Sequence, residues 1–216
     1  MTPKALSESD CPDAVRLLRE MTVPGTPWLV LGQGPSLERL SRVNLKDYHS
    51  LALNRSIVHA EADVAHFIDI RAFDESFDGL WGWSCKVIIP WHPHVKHRAT
   101  PKTLYDFIAE DERPLLRKLW DTERLFSYNS STAGALPKNQ FVPDVQVNYF
   151  SGVAAFSLLA KAGAKEIHTL GLDGGRDYAP CFSKSTLLDN GRKSFDIQFG
   201  VIDKICRKAG IRRKAL

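Results

Sequence analysis

The sequence of 216 residues contains no hydrophobic run long enough to cross a membrane. Its longest mostly apolar stretch, residues 153–160, falls far short of the roughly 20 residues that a transmembrane helix needs. The first residues, MTPKALSESDCPDA, contain acids and lack the apolar segment of a secretory signal peptide. We therefore expect a cytoplasmic chain without a transmembrane segment.

Cysteine is also scarce, and the four cysteines are widely separated. They are Cys11, Cys85, Cys181 and Cys206. Because none forms a CxxC pair, the sequence favours free thiols over a disulfide framework or a structural zinc site. Repeats and low-complexity tracts are absent as well, and a composition of 44% hydrophobic and 25% charged residues is typical of a globular protein.

The net charge of +4 comes from one end of the chain. Beyond Asp203 there are six basic residues and no acid, whereas the rest of the chain has slightly more acids than bases. Such a tail is suited to contact an anionic glycan, a membrane surface or nucleic acid. The alternative is that these residues are the solvated end of the last helix.

Short apolar runs alternate with helical patterns along most of the chain. Residues 1–27 form a helical preface, and the predicted strands are residues 28–31, 50–53, 64–68, 86–89, 125–128 and 167–172. The predicted helices include residues 151–162 and 194–209. This alternation predicts an α/β fold, a mostly parallel sheet with helices on both faces. We expect one domain over residues 28–216, with a loop or lid insertion near residues 90–145.

A glycine-rich turn follows the first predicted strand. Its residues are Gly32, Gln33, Gly34, Pro35 and Ser36. Glycine permits a tight turn and a close ligand, and the N-terminus of a following helix attracts anions, so the turn predicts a phosphate site. The alternative is that the glycines serve turn geometry alone. The dinucleotide fingerprint is incomplete, because Leu37 occupies the position of its third glycine.

Polar residues also follow the next two strands. Asn54 has a carboxamide suited to a ribose or a base edge, and Asp69 has a carboxylate suited to a ribose, a metal or an acceptor hydroxyl. Each of the two is equally suited to cap the helix that follows it.

Three histidines, His92, His94 and His97, follow the fourth strand. Prolines between them predict a loop rather than a metal site, and this loop would offer a proton donor or a phosphate contact.

Two further features complete the predicted site. Ser151 and Gly152 begin the apolar helix, where Ser151 is a natural N-cap and the helix amides offer a second anion site. Asp173 follows the sixth strand and precedes two glycines. It is a candidate general base, metal ligand or ribose anchor, and the alternative is a turn residue.

The segments LGQGPSLERL, LALNRSI and YFSGVAAFSLLAKAGAKEIHTLGLDGG together resemble one group of proteins. The group comprises the bacterial sialyltransferases, the related motility-associated flagellin glycosyltransferases and the 6-hydroxymethylpterin diphosphokinase-like proteins. The resemblance covers roughly residues 28–70 and 149–175. It implies a Rossmann-like domain that binds a CMP-sugar through Gly32, Gly34, Pro35, Ser36, Asn54, Ser151 and Gly152, with Asp173 as the acid that ends the second motif.

The chain departs from this group in one respect. The sialyltransferases use a histidine from a lid beyond the second motif, whereas no histidine follows His168 here. The catalytic base is therefore sought at Asp173, at Asp69, or in the loop of His92, His94 and His97.

Three functions follow from the sequence. The first is a glycosyltransferase that moves a CMP-nonulosonate-like sugar to a glycan or small-molecule acceptor. The second is a pyrophosphokinase of the hydroxymethylpterin type that uses ATP and magnesium, held by carboxylates such as Asp69 and Asp173. The third is a non-catalytic nucleotide-binding module that docks through its basic tail.

Overall fold

The computed structural model describes residues 7–77, 80, 84–110, 113–182 and 194–216. Its main sheet has eight strands in the order β10-β9-β1-β2-β3-β4-β7-β8, and every pairing within it is parallel. The strands are β1 (Trp28–Leu31), β2 (His49–Leu53), β3 (Val64–His66), β4 (Lys86–Pro90), β7 (Leu125–Ser130), β8 (Asp144–Val145), β9 (Glu166–Leu170) and β10 (Arg212–Ala215). A separate antiparallel hairpin joins β5 (His94–Val95) to β6 (Arg98–Ala99).

Helices cover both faces of the main sheet, so the predicted α/β, Rossmann-like class is confirmed. The six helices with complete bounds are α1 (Ala14–Met21), α2 (Ile70–Asp74), α3 (Leu104–Ala109), α4 (Pro114–Asp121), α5 (Ser151–Ala162) and α6 (Ile197–Ala209). One hydrophobic cluster joins α2, α3, α4 and the 3-10 helix Pro35–Arg42 to the sheet, and another joins α1, α5 and α6 to its opposite face. Strand β1 is fully buried between the layers, which explains its continuous apolar sequence.

The order in which strands are added to the sheet reverses between β1 and β9, which we call the strand reversal. From β1 the strands proceed through β2, β3, β4 and β7 to β8, and α5 then returns the chain to β9 on the other side of β1. In doubly wound sheets, ligands bind at the carboxyl ends of the strands beside such a reversal. The fold therefore directs attention to the residues that follow β1 and β9.

Several predicted elements are confirmed, and others differ in their bounds. The strand at residues 28–31 and the helix at residues 151–162 have the predicted limits, and Gly163 ends the helix in a left-handed conformation with φ of 94°. Strands β3 and β9 end two residues earlier than predicted, and the last helix begins three residues later. The hairpin and the helices α3 and α4 were not predicted.

The interpretation of the basic tail as the solvated end of the last helix is confirmed for Lys204, Arg207 and Lys208 and is wrong for the three bases that follow. Helix α6 ends at Ala209, and Arg212–Ala215 is the edge strand β10, which pairs with β9. Arg212 contacts Glu166 at 2.6 Å, and Arg213 contacts Asp203 at 3.2 Å. Part of the tail's charge therefore stabilises the edge of the sheet.

The predicted preface and insertion contribute to the same body. Helix α1 packs against α5, and Pro12 accepts a hydrogen bond from the amide of Ser127 in β7. Residues 90–145 contain the hairpin, α3 and α4, but they also supply β7 and β8 to the main sheet. The boundaries of the preface and the insertion remain predictions. Within the described ranges, no helix is long and apolar enough to cross a membrane.

A histidine and a tyrosine form a polar pair inside the sheet's core. His66 in β3 and Tyr128 in β7 are both fully buried, their rings stack, and Nε2 of His66 lies 2.9 Å from the tyrosine hydroxyl. Burial lowers the pKa of His66 to about 3 and raises the pKa of Tyr128. The pair is therefore neutral in the folded protein at ordinary pH.

Candidate active site

A cleft lies at the carboxyl ends of the adjacent strands β9, β1, β2 and β3. The predicted site residues that line it are Gly32, Gln33, Gly34, Asn54, Asp69, His94, His97, Ser151, Gly152 and Asp173. The lining does not include Pro35, Ser36 or His92, all of which the structure describes. Strand order brings together the lining residues that follow β9, β1, β2 and β3, because parallel strands present their carboxyl ends at one edge of the sheet.

The turns after β1 and β9 meet each other across two glycines. A Cβ atom added to Gly32 would lie 2.2 Å from the carbonyl oxygen of Gly171, and one added to Gly171 would lie 2.4 Å from that of Gly32. The amide of Gly34 also donates to the carbonyl of Gly171 at 2.7 Å. Glycine at positions 32 and 171 therefore permits backbone-to-backbone contact at the strand reversal.

The carboxylate of Asp173 occupies the first predicted anion site, at the glycine-rich turn after β1. Its carboxylate accepts hydrogen bonds from the amide of Ser36 at 2.7 Å and from the hydroxyl of Ser36 at 2.5 Å. A Cβ atom on Gly34 would lie 2.6 Å from Oδ2 of the same carboxylate. The negative charge that the N-terminus of the 3-10 helix attracts is thus supplied by Asp173.

The second predicted anion site faces the cleft at the start of α5. Ser151 is the first helical residue, and the prediction that it is the N-cap is wrong, because Phe150 occupies that position. The first hydrogen bond of the helix runs from the amide of Ala154 to the carbonyl of Phe150, so the preceding amides lie ahead of the helical ladder. Asn54 donates from Nδ2 to the Ser151 hydroxyl at 3.1 Å.

The side of the cleft next to β3 contains the acid–base residues. Asp69 caps α2 by accepting from the amide of Arg71 at 2.9 Å, and its other oxygen accepts from the amide of His97 at 3.3 Å. This confirms the interpretation of Asp69 as a cap. The side chain of His94 is buried and lines the cleft, with Nε2 2.7 Å from the Thr132 hydroxyl.

His92 lies in a different environment from His94. Its Nδ1 faces the carbonyl of Thr100 at 3.1 Å, and its Nε2 faces the carbonyl of Pro137 at 2.8 Å. Both ring nitrogens therefore join loop backbones outside the cleft lining. The structure brings His94, His97 and Asp69 together with the rest of the predicted site, but not His92.

Backbone strain is concentrated around the cleft. Among the residues that the structure describes, six other than glycine have positive φ, and three of them line the cleft: Asn54 at 52°, His97 at 68° and Tyr149 at 61°. Such conformations cost on the order of 1 kcal/mol each and are common at functional sites.

The two carboxylates proposed for magnesium do not fit a metal site. The oxygens of Asp173 accept hydrogen bonds from Ser36, and those of Asp69 accept from backbone amides. Across the described ranges, no group of three or more histidine, cysteine, aspartate or glutamate residues is arranged to hold a metal ion.

Several lining residues were not predicted from the sequence. They are Arg55, Glu75, Tyr149, Asp177, Tyr178, Phe195 and Gln198. Arg55 directly follows Asn54, so its place just after a strand was a signal that sequence reasoning could have used. Its guanidinium lies 3.9 Å from the Glu75 carboxylate. Gln198 lies in the first turn of α6, where strand-end reasoning does not apply.

No family model matches the chain, and no curated protein sequence is significantly similar to it. Among solved structures, the chain is similar to the sialyltransferase CstII from Campylobacter jejuni in complex with the substrate analogue CMP-3FNeuAc. The sequence identity is 13% and the TM-score is 0.47, with 88% of this chain and 81% of that chain covered.

Proposed function

We propose that the protein is a glycosyltransferase that moves a sugar from a CMP-nonulosonate-like donor to a hydroxyl of a glycan or small-molecule acceptor. The observation that carries the proposal is the N-terminus of α5, which opens into the cleft with the Ser151 hydroxyl held by Asn54. A helix N-terminus with a serine hydroxyl and a nearby carboxamide binds phosphate well. The sequence resemblance described above supports the same class of donor.

The number of anion positions favours a donor with one phosphate. Of the two positions that the sequence predicts, Asp173 occupies the first, which leaves the helix start at Ser151 and Gly152. A second phosphate near the first turn would meet the negative charge of Asp173. A nucleoside monophosphate sugar therefore suits the cleft better than a nucleoside di- or triphosphate.

His94 is the best placed of the three predicted catalytic residues. Both oxygens of Asp173 accept from Ser36, and both ring nitrogens of His92 face loop carbonyls outside the cleft lining. His94 lines the cleft, and its Nε2 is bonded to the Thr132 hydroxyl, which is itself bonded to the Ser130 hydroxyl. In the proposed reaction, the acceptor oxygen attacks the anomeric carbon as the bond to the phosphate oxygen breaks. His94 takes the acceptor's proton, and the nucleotide leaves with the bonding electron pair.

The start of α5 also stabilises the leaving group. Negative charge grows on the phosphate as the glycosidic bond breaks, and the helix amides and the Ser151 hydroxyl are positioned to receive it. Asn54 donates to that hydroxyl at 3.1 Å, and the hydroxyl donates back to Oδ1 of Asn54 at the longer distance of 3.5 Å. A phosphate oxygen would replace this longer bond as the acceptor of the hydroxyl proton.

The pyrophosphokinase alternative fits the cleft less well, because it needs magnesium and the carboxylates proposed to hold it are used within the chain. The non-catalytic module would bind a nucleotide through the same helix start without turnover.

Isothermal titration of CMP, UMP, AMP and ATP, with and without magnesium, tests the nucleotide site. We expect CMP to bind without metal. Ser151→Ala should weaken the affinity for CMP about tenfold, which is the effect of losing one hydrogen bond to a charged group. The matched control is Ser157→Ala, which removes a hydroxyl from the same helix outside the cleft lining. Failure of all four nucleotides to bind, or equal effects of the two variants, would contradict the proposal.

Release of CMP from a CMP-activated nonulosonic acid, measured with and without acceptor glycans, tests turnover. Acceptor-dependent release supports the transferase. Binding without release in the presence of a broad panel of acceptors supports the non-catalytic module, and ATP binding that requires magnesium supports the kinase.

A further inference from the structure

We propose that Gln198 binds a ribose hydroxyl of the nucleotide and so selects ribonucleotides over deoxyribonucleotides. This inference rests on the proposed nucleotide site but concerns a residue on a different helix, α6. Gln198 is the second residue of that helix, it lines the cleft, and only 4% of its surface is exposed.

The carboxamide of Gln198 has no hydrogen-bond partner within the part of the chain that the structure describes, although its backbone amide donates to Phe195. Neighbouring polar groups in the cleft are satisfied within the chain, as the bonds of Asn54 and Asp173 show. Gln198 therefore retains a donor and an acceptor that a ligand can use.

The carboxamide lies beside the start of α5. A Cβ atom on Gly152 would lie 2.6 Å from Oε1 of Gln198 and 3.0 Å from Leu172. Asn54 reaches Ser151 from the β2 side, whereas Leu172 and Gln198 approach Gly152 from the β9 side. Two carboxamides thus flank the proposed phosphate position from opposite sides. A side chain at position 152 would require the carboxamide of Gln198 to move.

Oε1 of Gln198 is the carboxamide atom that lies next to Gly152, and a hydroxyl can donate a hydrogen bond to it whereas a phosphate oxygen cannot. The Nε2 group of the same carboxamide can donate to either ligand. Two groups attached to the donor's phosphate carry hydroxyls, the ribose and the transferred sugar.

A pair of aromatic residues places the nucleoside on the same side, away from Tyr149, whose ring lies 6.0 Å from that of His94. Tyr178 and Phe195 line the cleft next to Gln198, with their rings edge to face and 5.7 Å apart. Aromatic rings of this kind stack on nucleobases. The acid–base residues His94 and Asp69 lie on the β3 side instead, where the transferred sugar would meet its acceptor. The ribose would then lie between the ring pair and the helix start, beside Gln198.

The test is titration calorimetry of CMP, 2′-deoxy-CMP and 3′-deoxy-CMP against the parent protein and Gln198→Leu. We expect the parent to bind one deoxy analogue about tenfold more weakly than CMP, the change expected for one hydrogen bond. Gln198→Leu should bind CMP about as weakly as the parent binds that analogue, and it should bind CMP and the analogue equally.

Three further measurements keep the test decisive. Ligand-free Gln198→Leu should melt at a temperature equal to or above that of the parent, because an apolar side chain replaces an amide without partners. Gln146→Leu, a change of the same kind at an exposed site outside the cleft lining, should leave all affinities unchanged. Gln198→Glu should weaken CMP, because it places a carboxylate beside the phosphate.

The outcomes separate the two proposals. If the parent binds CMP and Gln198→Leu still distinguishes CMP from both analogues as the parent does, the inference about Gln198 is wrong and the nucleotide site stands. If the parent binds no nucleotide, the proposed function itself fails.

Discussion

The carboxylate of Asp173 accepts hydrogen bonds from both the amide and the hydroxyl of Ser36, which lies 137 residues earlier in the chain. This contact joins the turn after β1 to the turn after β9 at the strand reversal. The hydroxyl of Ser36 also accepts a hydrogen bond from the amide of Gly171 at 2.7 Å. The Asp173 carboxylate, the Ser36 hydroxyl and the Gly171 amide therefore meet at one place. The acid that the sequence analysis offered as a general base therefore has a structural partner of its own.

Asp173→Asn should lower the free energy of unfolding by about 1 kcal/mol, as the loss of a helix-capping carboxylate does. Urea denaturation measures this, and calorimetry should show CMP affinity within tenfold of the parent. A variant with parental stability and almost no turnover would instead assign the catalytic base to Asp173.

Gly34→Ala should destabilise the protein by about 1 to 3 kcal/mol, the usual effect of overpacking. The added Cβ would lie 2.6 Å from the Asp173 carboxylate and 2.9 Å from the Gly171 carbonyl oxygen. Gly200→Ala is the matched control, because Gly200 lies within α6 and its added Cβ would meet nothing within 4 Å among the described residues beyond its chain neighbours and the helix's own backbone. That control should gain up to about 1 kcal/mol from helix propensity. Equal effects of the two substitutions on the urea midpoint would contradict the proposed close contact.

The stability of the protein should fall as the pH is lowered below about 6.5. Burial holds the pKa of His66 near 3 in the folded protein, whereas an unfolded histidine has a pKa of about 6.5. Between these values the unfolded chain binds one more proton than the folded chain. The contribution is therefore fully present above pH 6.5 and is lost at about 1.4 kcal/mol per pH unit towards pH 3.

The pH effect is measured by urea unfolding of the parent and of a His66→Phe, Tyr128→Phe double variant between pH 7 and pH 4. The double variant removes both partners of the buried hydrogen bond, so neither is left unsatisfied. Its pH slope should be shallower by about 1.4 kcal/mol per unit in this range. Parallel slopes would show that His66 does not control acid stability.

His94→Ala should lower turnover, whereas His92→Ala should lower stability. His94→Ala should reduce turnover by about 10² to 10⁴, the usual contribution of a general base, with CMP affinity close to that of the parent. His92→Ala should instead lower the free energy of unfolding by about 1 to 3 kcal/mol, because it leaves the carbonyls of Thr100 and Pro137 without their partner. Turnover per folded molecule in single-turnover assays separates the two effects, and loss of turnover in His92→Ala alone would reverse the roles.

The sequence predicts best those elements that are buried on all sides. Strand β1 and helix α5 have continuous apolar residues, and the glycine that ends α5 marks its limit, so composition alone defines both. Strand β10 was missed for the opposite reason. Its residues are basic and exposed, and they form a strand because β9 offers a free edge, which no local pattern reveals.

The site could be predicted only as a set of strand ends. Reasoning from parallel strands brought Asn54, Asp69 and Asp173 to one cleft, and the structure places all three in its lining. The same reasoning could not reveal the hydrogen bonds between Asp173 and Ser36, because these bonds depend on how the turns after β1 and β9 pack. Gln198 was invisible to the same reasoning, since it lies within a helix start and acts across the cleft.

The left-handed residues around the cleft have a consequence for directed evolution. Replacing Asn54, His97 or Tyr149 with glycine would release backbone strain, so a screen for heat resistance alone would favour such changes. The same screen would accept leucine at position 198. Selection for heat tolerance would therefore remove the residues that line the cleft, and variants of this protein should be screened for nucleotide binding in the same round.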